Sequence, residues 1–313
     1  MDLFEVYKPQ EKSDYIAIGD ITSQSTTLTG LEPGTEYEYA LRSQKAKAKN
    51  KTSALTETMS FITQVPLQLA NNDAALAQKN IDIIEENYNQ SAEVTLTDRT
   101  LYKDGDWNTL CLPFDVTLKG SPLEGATVMK MDGEKSSLNN GKLSLSFVDE
   151  KEVLTAGTPY IIKWETKGDD IKDPVFTGVI ISSTTPTEVM SNDNNVSFVG
   201  QYSPFNIVES GATGDNEGNI DEIILLSANN KLGYSKNPRT LHALRCHFKT
   251  YSYEKARSYE IDFGEGETTG IVSISDEGEL KTNGWFTLDG RKLSKMPTAK
   301  GLYINNGKVV EIK

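Results

Sequence analysis

Short runs of alternating apolar and polar residues recur along the chain, and they constrain its fold more than any other feature. They lie at residues 4–7, 15–18, 26–28, 37–41, 58–63, 94–96, 127–129, 143–147, 160–162 and 223–226. Because side chains on a strand point alternately to its two faces, a period of two predicts strands with one buried face. Turn pairs that tolerate positive φ separate several runs: Asp132-Gly133, Asn140-Gly141 and Asn229-Asn230. The sequence therefore predicts an all-β fold.

Length and charge limit the number of domains and the class of partner. The 313 residues correspond to roughly two domains of about 150 residues, with room for a small third. A net charge of −13 would repel a phosphate backbone, so we expect no nucleic-acid partner. No apolar run approaches the length of a membrane span, and Met1 is followed by Asp2 and Glu5 instead of the basic residues of a secretory leader. We expect no transmembrane segment and no leader in this chain.

Cysteine and histidine are too few for a disulfide framework or a repeated zinc module. The chain has two of each and no CxxC spacing. Cys111 and Cys246 both lie in apolar runs, where cysteine commonly serves as a small buried side chain. A bridge between them stays open, because sequence does not fix their distance. His242, Cys246 and His247 come closest to a metal cluster, but neighbours on a strand point to opposite faces, so at most two of them can face one ion.

The first 65 residues contain a distinctive turn. Pro33 fixes a bend, Gly34 permits an unusual dihedral angle, and the Tyr37 hydroxyl can bond back to the connecting backbone. With Leu31 and Thr35, these residues form a Leu-x-Pro-x-Thr-x-Tyr pattern that closely resembles the signature of a fibronectin type III module.

The resemblance implies an immunoglobulin-like sandwich, here partial and covering residues 1–65. About five of its seven strands fit, so its first two strands are expected to be absent and an unpaired edge is expected near residues 4–7. The basic run at 45–51 is interpreted as a solvated hairpin tip.

Residues 66–264 form the largest predicted unit. Asp73 is a candidate cap for a short helix over residues 73–79, and about ten short strands follow, which suggests a jelly-roll-like β-sandwich. Residues 99–114 read RTLYKDGDWNTLCLPF. This string, with segments 154–162, 198–202 and 244–248, resembles a module of large surface and secreted proteins of Bacteroidetes. Where those relatives usually have Arg-Ala-Tyr-Phe, this chain has Arg245-Cys246-His247-Phe248, which weakens a chemical role for Cys246 or His247. The resemblance implies an extracellular or cell-surface location.

An acidic, glycine-containing stretch at 264–267 is predicted to link this unit to a small C-terminal β-hairpin element, residues 265–313. Two hairpins are expected there, turning at Asp289-Gly290 and Asn306-Gly307. The element is similar to the C-terminal module of exported Bacteroidetes proteins, which in some relatives acts as a sorting signal. A small β-element packed on the preceding sandwich is the alternative.

Acidic side chains give no clear catalytic pair. Asp104 and Asp106 flank a glycine as in a solvated turn, and Asp169, Asp170 and Asp173 share a polar loop. Oxygen-bearing side chains alternate at Asp215, Glu217, Asn219 and Asp221, as a calcium ion requires, but the neighbouring glycine does not fall where an EF-hand loop turns. Calcium there stays an open alternative, and no other cofactor is expected.

Aromatic side chains are the candidates for stacking on a sugar, because a flat apolar ring can cover a pyranose face. They are Tyr102, Trp107, Trp164 and Trp285. Trp107 precedes a Leu-Cys-Leu run, a setting more typical of a core side chain. Tyr102 and Trp107 are nevertheless the ligand candidates that the sequence offers.

The motifs of nucleotide-binding, zinc-dependent and serine hydrolases are absent from the sequence, and we expect no enzymatic activity. The resemblances predict the non-catalytic C-terminal portion of an exported bacterial cell-surface protein, with a role in structural presentation or adhesion. Its partner would be a protein or glycan surface ligand. The alternative is an accessory carbohydrate-binding region of a secreted glycoside hydrolase or peptidase.

Overall fold

A computed structural model describes most of the chain. The described residues are 2–7, 16–21, 30–43, 56–209, 216–227, 230–251, 255–264, 272–273, 281–282, 285–287, 292–293, 295–305 and 308–312. The fold is all-β, with 49% of residues in strands and 6% in helices, as the alternating pattern predicts. Among the described residues, no helix has the length and apolarity needed to cross a bilayer.

Four N-terminal strands form one antiparallel sheet. They are β1 (Asp2–Tyr7), β2 (Ile16–Ile21), β3 (Glu36–Ser43) and β4 (Met59–Ile62), in the order β2-β1-β3-β4. The expectation of an unpaired edge near residues 4–7 is wrong, because β1 pairs with both β2 and β3. The edges of this sheet are β2 and β4. The strand expected at 26–28 and the basic run at 45–51 lie outside the described residues.

The Tyr37 side chain joins this sheet to the connection that precedes β3. Its ring is buried and stacks on Phe61 with centroids 5.8 Å apart. Its hydroxyl accepts a hydrogen bond of 2.9 Å from the backbone N–H of Glu32. The tyrosine thus bonds back to the connecting backbone, as the local sequence pattern predicts.

The central region begins with β5 (Val65–Ala70) and two short helices, α1 (Ala74–Ala77) and α2 (Asn80–Glu86). Asp73 Oδ1 accepts the backbone N–H groups of Ala75 and Leu76, at 3.0 and 3.1 Å. These bonds satisfy donors that the first helical turn leaves unpaired, so the predicted cap is present. The structure has two helices here where the sequence predicted one.

The remaining strands are short and follow one another closely. Those before residue 200 are β6 (Ser91–Thr97), β7 (Thr100–Leu101), β8 (Asn108–Leu110), β9 (Val116–Thr117), β10 (Thr127–Met131), β11 (Ser137–Asn139), β12 (Lys142–Asp149), β13 (Val153–Leu154), β14 (Tyr160–Lys163), β15 (Ile171–Lys172), β16 (Val175–Ile180), β17 (Glu188–Met190) and β18 (Val196–Gln201). Those after it are β19 (Phe205–Val208), β20 (Glu217–Asn219), β21 (Ile223–Ser227), β22 (Lys231–Tyr234), β23 (Arg239–Leu241), β24 (Arg245–Thr250), β25 (Ser258–Asp262), β26 (Val272–Ser273), β27 (Lys281–Thr282), β28 (Trp285–Thr287), β29 (Lys292–Leu293), β30 (Gly301–Asn305) and β31 (Lys308–Ile312).

Two large sheets enclose the core of the central region. One has eight strands in the order β27-β26-β25-β12-β10-β14-β8, with β11 paired to β12, and the other has five in the order β17-β18-β24-β21-β22. Phe147 on β12 meets Phe198 and Phe248 of the facing sheet edge-on, at centroid distances of 5.9 and 6.5 Å. All three rings are buried, so the two sheets form a β-sandwich.

Smaller sheets complete the sandwich, and three strand pairs of the central region, one of them in the eight-stranded sheet, are parallel. Three-stranded sheets run β16-β6-β5 and β20-β19-β23, and two-stranded ones pair β13 with β9 and β15 with β7. The pairs β5–β6, β12–β25 and β19–β20 are parallel. Parallel neighbours need long crossover connections, so they cannot be found from the tight-turn signals that predict hairpins.

The predicted tight turns differ in outcome. Asn140 and Gly141 have φ of 52° and 73° and join β11 to β12, as expected. Asn230, with φ of 57°, precedes β22, while Asn229 lies outside the described residues. The interpretation of Asp132-Gly133 as a positive-φ turn is wrong, because Gly133 begins a 3-10 turn (Gly133–Lys135). A Cβ at Gly133 would lie 2.2 Å from the Met190 carbonyl oxygen, so the glycine is required by close packing.

The C-terminal strands belong to two different sheets. After the predicted linker, β26 and β27 extend the large central sheet beyond β25. A separate four-stranded sheet then has the order β29-β28-β30-β31. In it Asn305 pairs with Lys308, which leaves the two-residue loop that the sequence predicts. The turn residues of both predicted hairpins lie outside the described residues.

Candidate functional site

The two cysteines are buried and free. The Cys111 thiol donates to the Gly157 carbonyl, and the Cys246 thiol donates to the Leu110 carbonyl, both at 3.3 Å. Burial raises the pKa of Cys111 well above its usual value and that of Cys246 to about 12. Since the thiolate is the reactive form, neither cysteine is set up as a nucleophile near neutral pH. The disulfide that sequence left open is not formed in this structure.

Cys246 and His247 face opposite sides of β24. The Cys246 thiol lies against the Leu110 and Tyr160 carbonyls, whereas the His247 ring lies 4.2 Å from the Phe205 ring, centroid to centroid. This is the alternation expected for neighbours on a strand. Within the described part of the chain, no group of three or more His, Cys, Asp or Glu side chains could hold a metal ion.

The aromatic candidates divide into buried and exposed rings. Trp107 is 8% exposed and stacks on Phe263 at 5.1 Å, with Lys163 Nζ 4.8 Å from its ring centroid. Trp164 is also buried, and its Nε1–H donates to a backbone carbonyl. Trp107 is therefore a core side chain, the interpretation that its sequence setting favoured, and it has no free face for a sugar. Trp285 is partly buried on β28, while Tyr102 is 45% exposed and remains available.

The candidate acids mostly organise backbone turns. Three carboxylates accept backbone N–H groups: Asp104 from Asp106 at 2.9 Å, Asp170 from Lys103 at 2.9 Å, and Asp173 from Asp98 at 2.7 Å. Asp169 is exposed in the same loop as Asp170. These contacts match the solvated-turn interpretation of both sets.

The expected calcium ligands are only partly described. Asp215 lies outside the described residues, and Glu217 is partly buried on β20. The Asp221 carboxylate pairs with Lys255, and Asn219 Oδ1 accepts the Asp221 backbone N–H at 2.9 Å. Calcium binding here remains a prediction.

A fully buried arginine lies at the start of the distinctive string. Arg99 is 0% exposed. Its Nη2 donates to the Thr109 carbonyl at 2.8 Å and its Nη1 to Asn71 Oδ1 at 3.3 Å, while its Nε has no hydrogen-bond partner among the described residues. Arginine stays protonated in proteins, so a full positive charge is buried against neutral acceptors.

The same residues that accept from Arg99 also hold the turn between β23 and β24. The Asn71 carbonyl accepts the Ala243 N–H at 3.2 Å, and Thr109 Oγ1 accepts the Cys246 N–H at 3.1 Å. Arg99 thereby connects two backbone segments to a turn more than 130 residues away in sequence. We call residues 242–245 the arginine turn.

The arginine turn has an unusual backbone. Leu244 has φ of +58°, a conformation that bulky side chains rarely adopt. The surroundings fix it: the Leu244 side chain is fully buried, and its carbonyl accepts the Cys111 N–H at 3.3 Å. Strained backbone of this kind persists only where neighbouring contacts determine it, and it is often found at binding sites.

A buried polar chain supports the turn from the opposite side. His247 Nδ1 and Gln201 Oε1 are 3.0 Å apart, and Gln201 Nε2 donates to the His242 carbonyl at 2.7 Å. Since Gln201 uses its amide nitrogen for His242, its oxygen accepts, and His247 carries its proton on Nδ1. His247 Nε2 is buried without a hydrogen-bond partner among the described residues. Burial lowers the pKa of His247 to about 4, so the ring is neutral near neutral pH.

Positive charges gather at the arginine turn, and within the described residues no salt bridge pairs Arg99 or Arg245 with a carboxylate. Burial and then the charge of Arg245 lower the pKa of Arg99. Burial, followed by the charges of Arg245, Arg239 and Arg99, lowers the pKa of His242. Burial also lowers the pKa of Arg245. No described Asp or Glu contributes to these three shifts.

Sequence reasoning named Tyr102 and His242 but missed Arg99, Arg245 and their shared turn. Their partners lie far apart in the chain, and no local spacing marks them. Comparisons with known protein-family models, curated proteins and solved structures find no match for this chain. The arginine turn is the candidate binding site of the described structure.

Proposed function

We propose that this chain is a non-catalytic part of an exported bacterial cell-surface protein and that it serves in adhesion or structural presentation. The observation that carries the proposal is the N-terminal sheet, in which Tyr37 bonds back to Glu32 at the start of β3. The strand order β2-β1-β3-β4 matches the C′-C-F-G sheet of immunoglobulin-like sandwiches, with the tyrosine at the start of strand F. Many cell-surface domains share that architecture.

The segments that resemble Bacteroidetes surface modules support the same proposal, because they meet in one core. Strand β8 of the first segment pairs with β14 of the second, and β18 of the third pairs with β24 of the fourth. The Thr109 side chain connects the two pairs through the Cys246 N–H. Gly200 permits this packing, because a Cβ there would lie 2.4 Å from Cys111 Sγ. The shared residues thus build a scaffold.

Antibody labelling of intact cells tests the proposed cell-surface location of this chain. The terminal sheet begins at β28, whereas β27 still belongs to the large central sheet. Deletion of residues 285–313 therefore removes the terminal sheet and leaves every described strand of the central sheet. In the native host we expect the full chain to be labelled on intact cells by an antibody, and the deletion variant to be retained inside.

The fluorescence of Trp107 and Trp164 monitors the fold of the deletion variant. A folded variant that is still displayed would contradict a sorting role for the terminal sheet. If the full chain is protected from antibody on intact cells and labelled only after lysis, the proposed surface location is wrong.

The accessory carbohydrate-binding role is the second candidate, and Tyr102 favours it. The ring is 45% exposed, and an exposed aromatic ring provides the flat apolar face on which sugars stack.

A further inference from the structure

The terminal sheet carries two aromatic side chains on the same side. In the pairing of β28 with β30, Trp285 is opposite Asn305 and Thr287 is opposite Tyr303. Residues that are directly opposite, or two apart along one strand, point to the same side of a sheet. The four side chains therefore form a square with the two rings on one diagonal, where neighbours are about 7–8 Å apart and aromatic side chains can reach each other. We call Trp285, Thr287, Tyr303 and Asn305 the aromatic face.

The aromatic face is accessible to a ligand. All four of its side chains are partly exposed. Phe286, which lies between Trp285 and Thr287 on β28, points to the opposite side and is only 5% exposed. At this position the sheet thus packs through its other side and leaves the aromatic face outermost. Leu302 also points to that other side, but farther along β30, where it is 51% exposed.

Gly301 lets the Tyr303 ring lie along the surface of the sheet. A Cβ built on Gly301 would be 3.4 Å from Cε2 of Tyr303, 3.6 Å from its hydroxyl oxygen and 3.7 Å from Cζ. Because the far end of the ring is this close to the glycine, the ring folds back over β30 instead of standing upright on it. A ring that rests on backbone in this way turns its other face away from the sheet.

Trp285 is the tryptophan best placed to stack on a ligand. The chain contains three tryptophans. Trp107 and Trp164 are 8% and 4% exposed, and a lysine ammonium lies over each ring, 4.8 and 5.3 Å from the centroid. These two rings are enclosed by the central sandwich, whereas Trp285 is partly exposed in the terminal sheet.

We infer that the aromatic face binds a neutral glycan with a flat, extended chain, such as a β-1,4-linked glucan. An aromatic ring covers the apolar face of a pyranose, and a few polar groups beside it orient the sugar hydroxyls. The aromatic face has both, since Asn305 lies next to Trp285 across the strands and two residues from Tyr303. The inference rests on the second candidate role, carbohydrate binding, and adds a site and a class of ligand.

Charge and shape narrow the class of glycan. The chain has a net charge of −13, so an acidic polysaccharide would meet long-range repulsion that a neutral one does not. The two rings belong to one sheet surface, and a flat glycan chain can contact both of them at once. A curved chain, such as an α-1,4-linked glucan, would leave one ring without contact.

Calorimetric titration of the full chain with cellohexaose tests the inference. Maltohexaose is the matched ligand, because it has the same number of glucose units in a curved chain. We expect maltohexaose to bind at least tenfold more weakly than cellohexaose. Trp285→Ala and Tyr303→Ala should each weaken cellohexaose binding by about tenfold or more. Leu302→Ala is the control, since it truncates an exposed apolar side chain on the other side of the same sheet.

Two substitutions of Gly301 test the position of the Tyr303 ring without removing it. Gly301→Ala places a methyl group in ordinary contact with the ring, at 3.4 Å, and should keep the affinity for cellohexaose. Gly301→Val adds methyl groups that displace the ring, so the affinity should fall by about tenfold. Valine favours strands, and hydrogen exchange of β30 and β31 checks that the sheet is retained.

Quenching of tryptophan fluorescence by acrylamide gives a second readout. Trp107 and Trp164 are buried, so the quenching should come mainly from Trp285. Saturation with cellohexaose should reduce the quenching in the wild type and in Leu302→Ala. In Trp285→Ala cellohexaose should leave the quenching unchanged.

No binding of cellohexaose, equal binding of maltohexaose, or unchanged affinity in a folded Trp285→Ala protein would overturn the inference, while antibody labelling of intact cells would stay as proposed. If Tyr102→Ala abolishes cellohexaose binding and Trp285→Ala does not, the carbohydrate-binding role holds and the aromatic face is the wrong site. Sedimentation tests the other occupant. A wild-type dimer that Trp285→Ala dissociates, together with no glycan binding, would mean that a second copy of this chain covers the aromatic face.

Discussion

The N-terminal sheet and the central sandwich are built from the same alternating pattern, but their described side chains differ in what covers them. In the sandwich, Phe147, Phe198 and Phe248 meet between two sheets, and each is at most 2% exposed. In the N-terminal sheet, Phe61 is partly exposed and Ile62 is 56% exposed. A period of two identifies a strand and its faces, whereas burial depends on which other sheet packs against it.

The largest expected difference between the two regions comes from the same substitution made in each. Phe248 stacks on Phe198 at 4.6 Å inside the sandwich, so Phe248→Ala should cost about 3–5 kcal/mol of unfolding free energy. Phe61→Ala should cost roughly 1–2 kcal/mol, because it removes contacts with two tyrosine rings from a partly exposed position.

Urea unfolding followed by tryptophan fluorescence measures the first variant, because residues 1–65 contain no tryptophan. Amide hydrogen exchange of β3 measures the second. Equal losses would mean that the N-terminal sheet is covered as completely as the sandwich.

The next largest difference should appear at low pH, where His247 should destabilise the central sandwich but not the N-terminal sheet. In the fold the pKa of this ring is lowered from its ordinary value of 6.5 to about 4, with desolvation as the main cause, followed by the charge of Lys249. Between these two values the unfolded chain binds a proton that the folded chain excludes, so stability should fall as pH decreases from about 6.5 to about 4. The loss attributable to His247 is roughly 3 kcal/mol at most.

The measurement is the urea midpoint of the sandwich as a function of pH. In His247→Gln the slope between pH 6.5 and 4 should flatten, whereas the exposed control His242→Gln should keep most of it. Hydrogen exchange in β3 should not follow this slope, because His247 lies in β24. An unchanged slope in His247→Gln would show that other groups cause the acid loss.

The sequence predicts local structure well and the candidate site poorly, for a physical reason. Asp73, Asn140 and Tyr37 act on backbone within five residues of themselves, and their spacing is visible in the chain. Arg99 donates hydrogen bonds to Thr109 and Asn71. These two residues in turn accept hydrogen bonds from the backbone in and next to the turn that begins at His242. No periodicity encodes such a contact, and the positive φ of Leu244 follows from tertiary contacts that override its own preference.

The predicted turn at Asp132-Gly133 illustrates the same limit. The pair is typical of a hairpin, but the glycine is selected by the approach of the Met190 carbonyl from another strand. The parallel pairs β12–β25 and β5–β6 likewise could not be predicted from turn signals in the sequence, since their connections are long. Local chemistry predicts elements, and the packing between elements determines the site.

A smaller effect is expected from the tyrosine hydroxyl in the N-terminal sheet. Tyr37→Phe leaves the Glu32 N–H without this acceptor, and because Glu32 is near solvent the cost should be about 1 kcal/mol, at the low end for an unsatisfied group. Amide exchange of Glu32 and of β3 should accelerate about fivefold, while the tryptophan-monitored transition stays unchanged. The matched control is Tyr39→Phe, whose hydroxyl donates to Met59 Sδ at 3.5 Å and should matter less. Equal effects of both substitutions would contradict a special role for the Tyr37 hydroxyl.

The smallest expected effect comes from Ile62, an exposed apolar residue of the N-terminal sheet. Ile62 lies on the edge strand β4 and pairs with Glu36 of β3. The neighbours on the same face are Ser60 and Glu38. Met59, the other exposed apolar residue of β4, lies on the opposite face with Tyr39, so the two do not form one patch. Ile62→Thr keeps a β-branched side chain and should change stability by no more than about 0.5 kcal/mol. Hydrogen exchange of β4 measures this, and sedimentation of both proteins shows whether Ile62 contributes to self-association. A loss above about 1.5 kcal/mol, or a shift from oligomer to monomer, would mean that a surface absent from the described residues covers this face of the sheet.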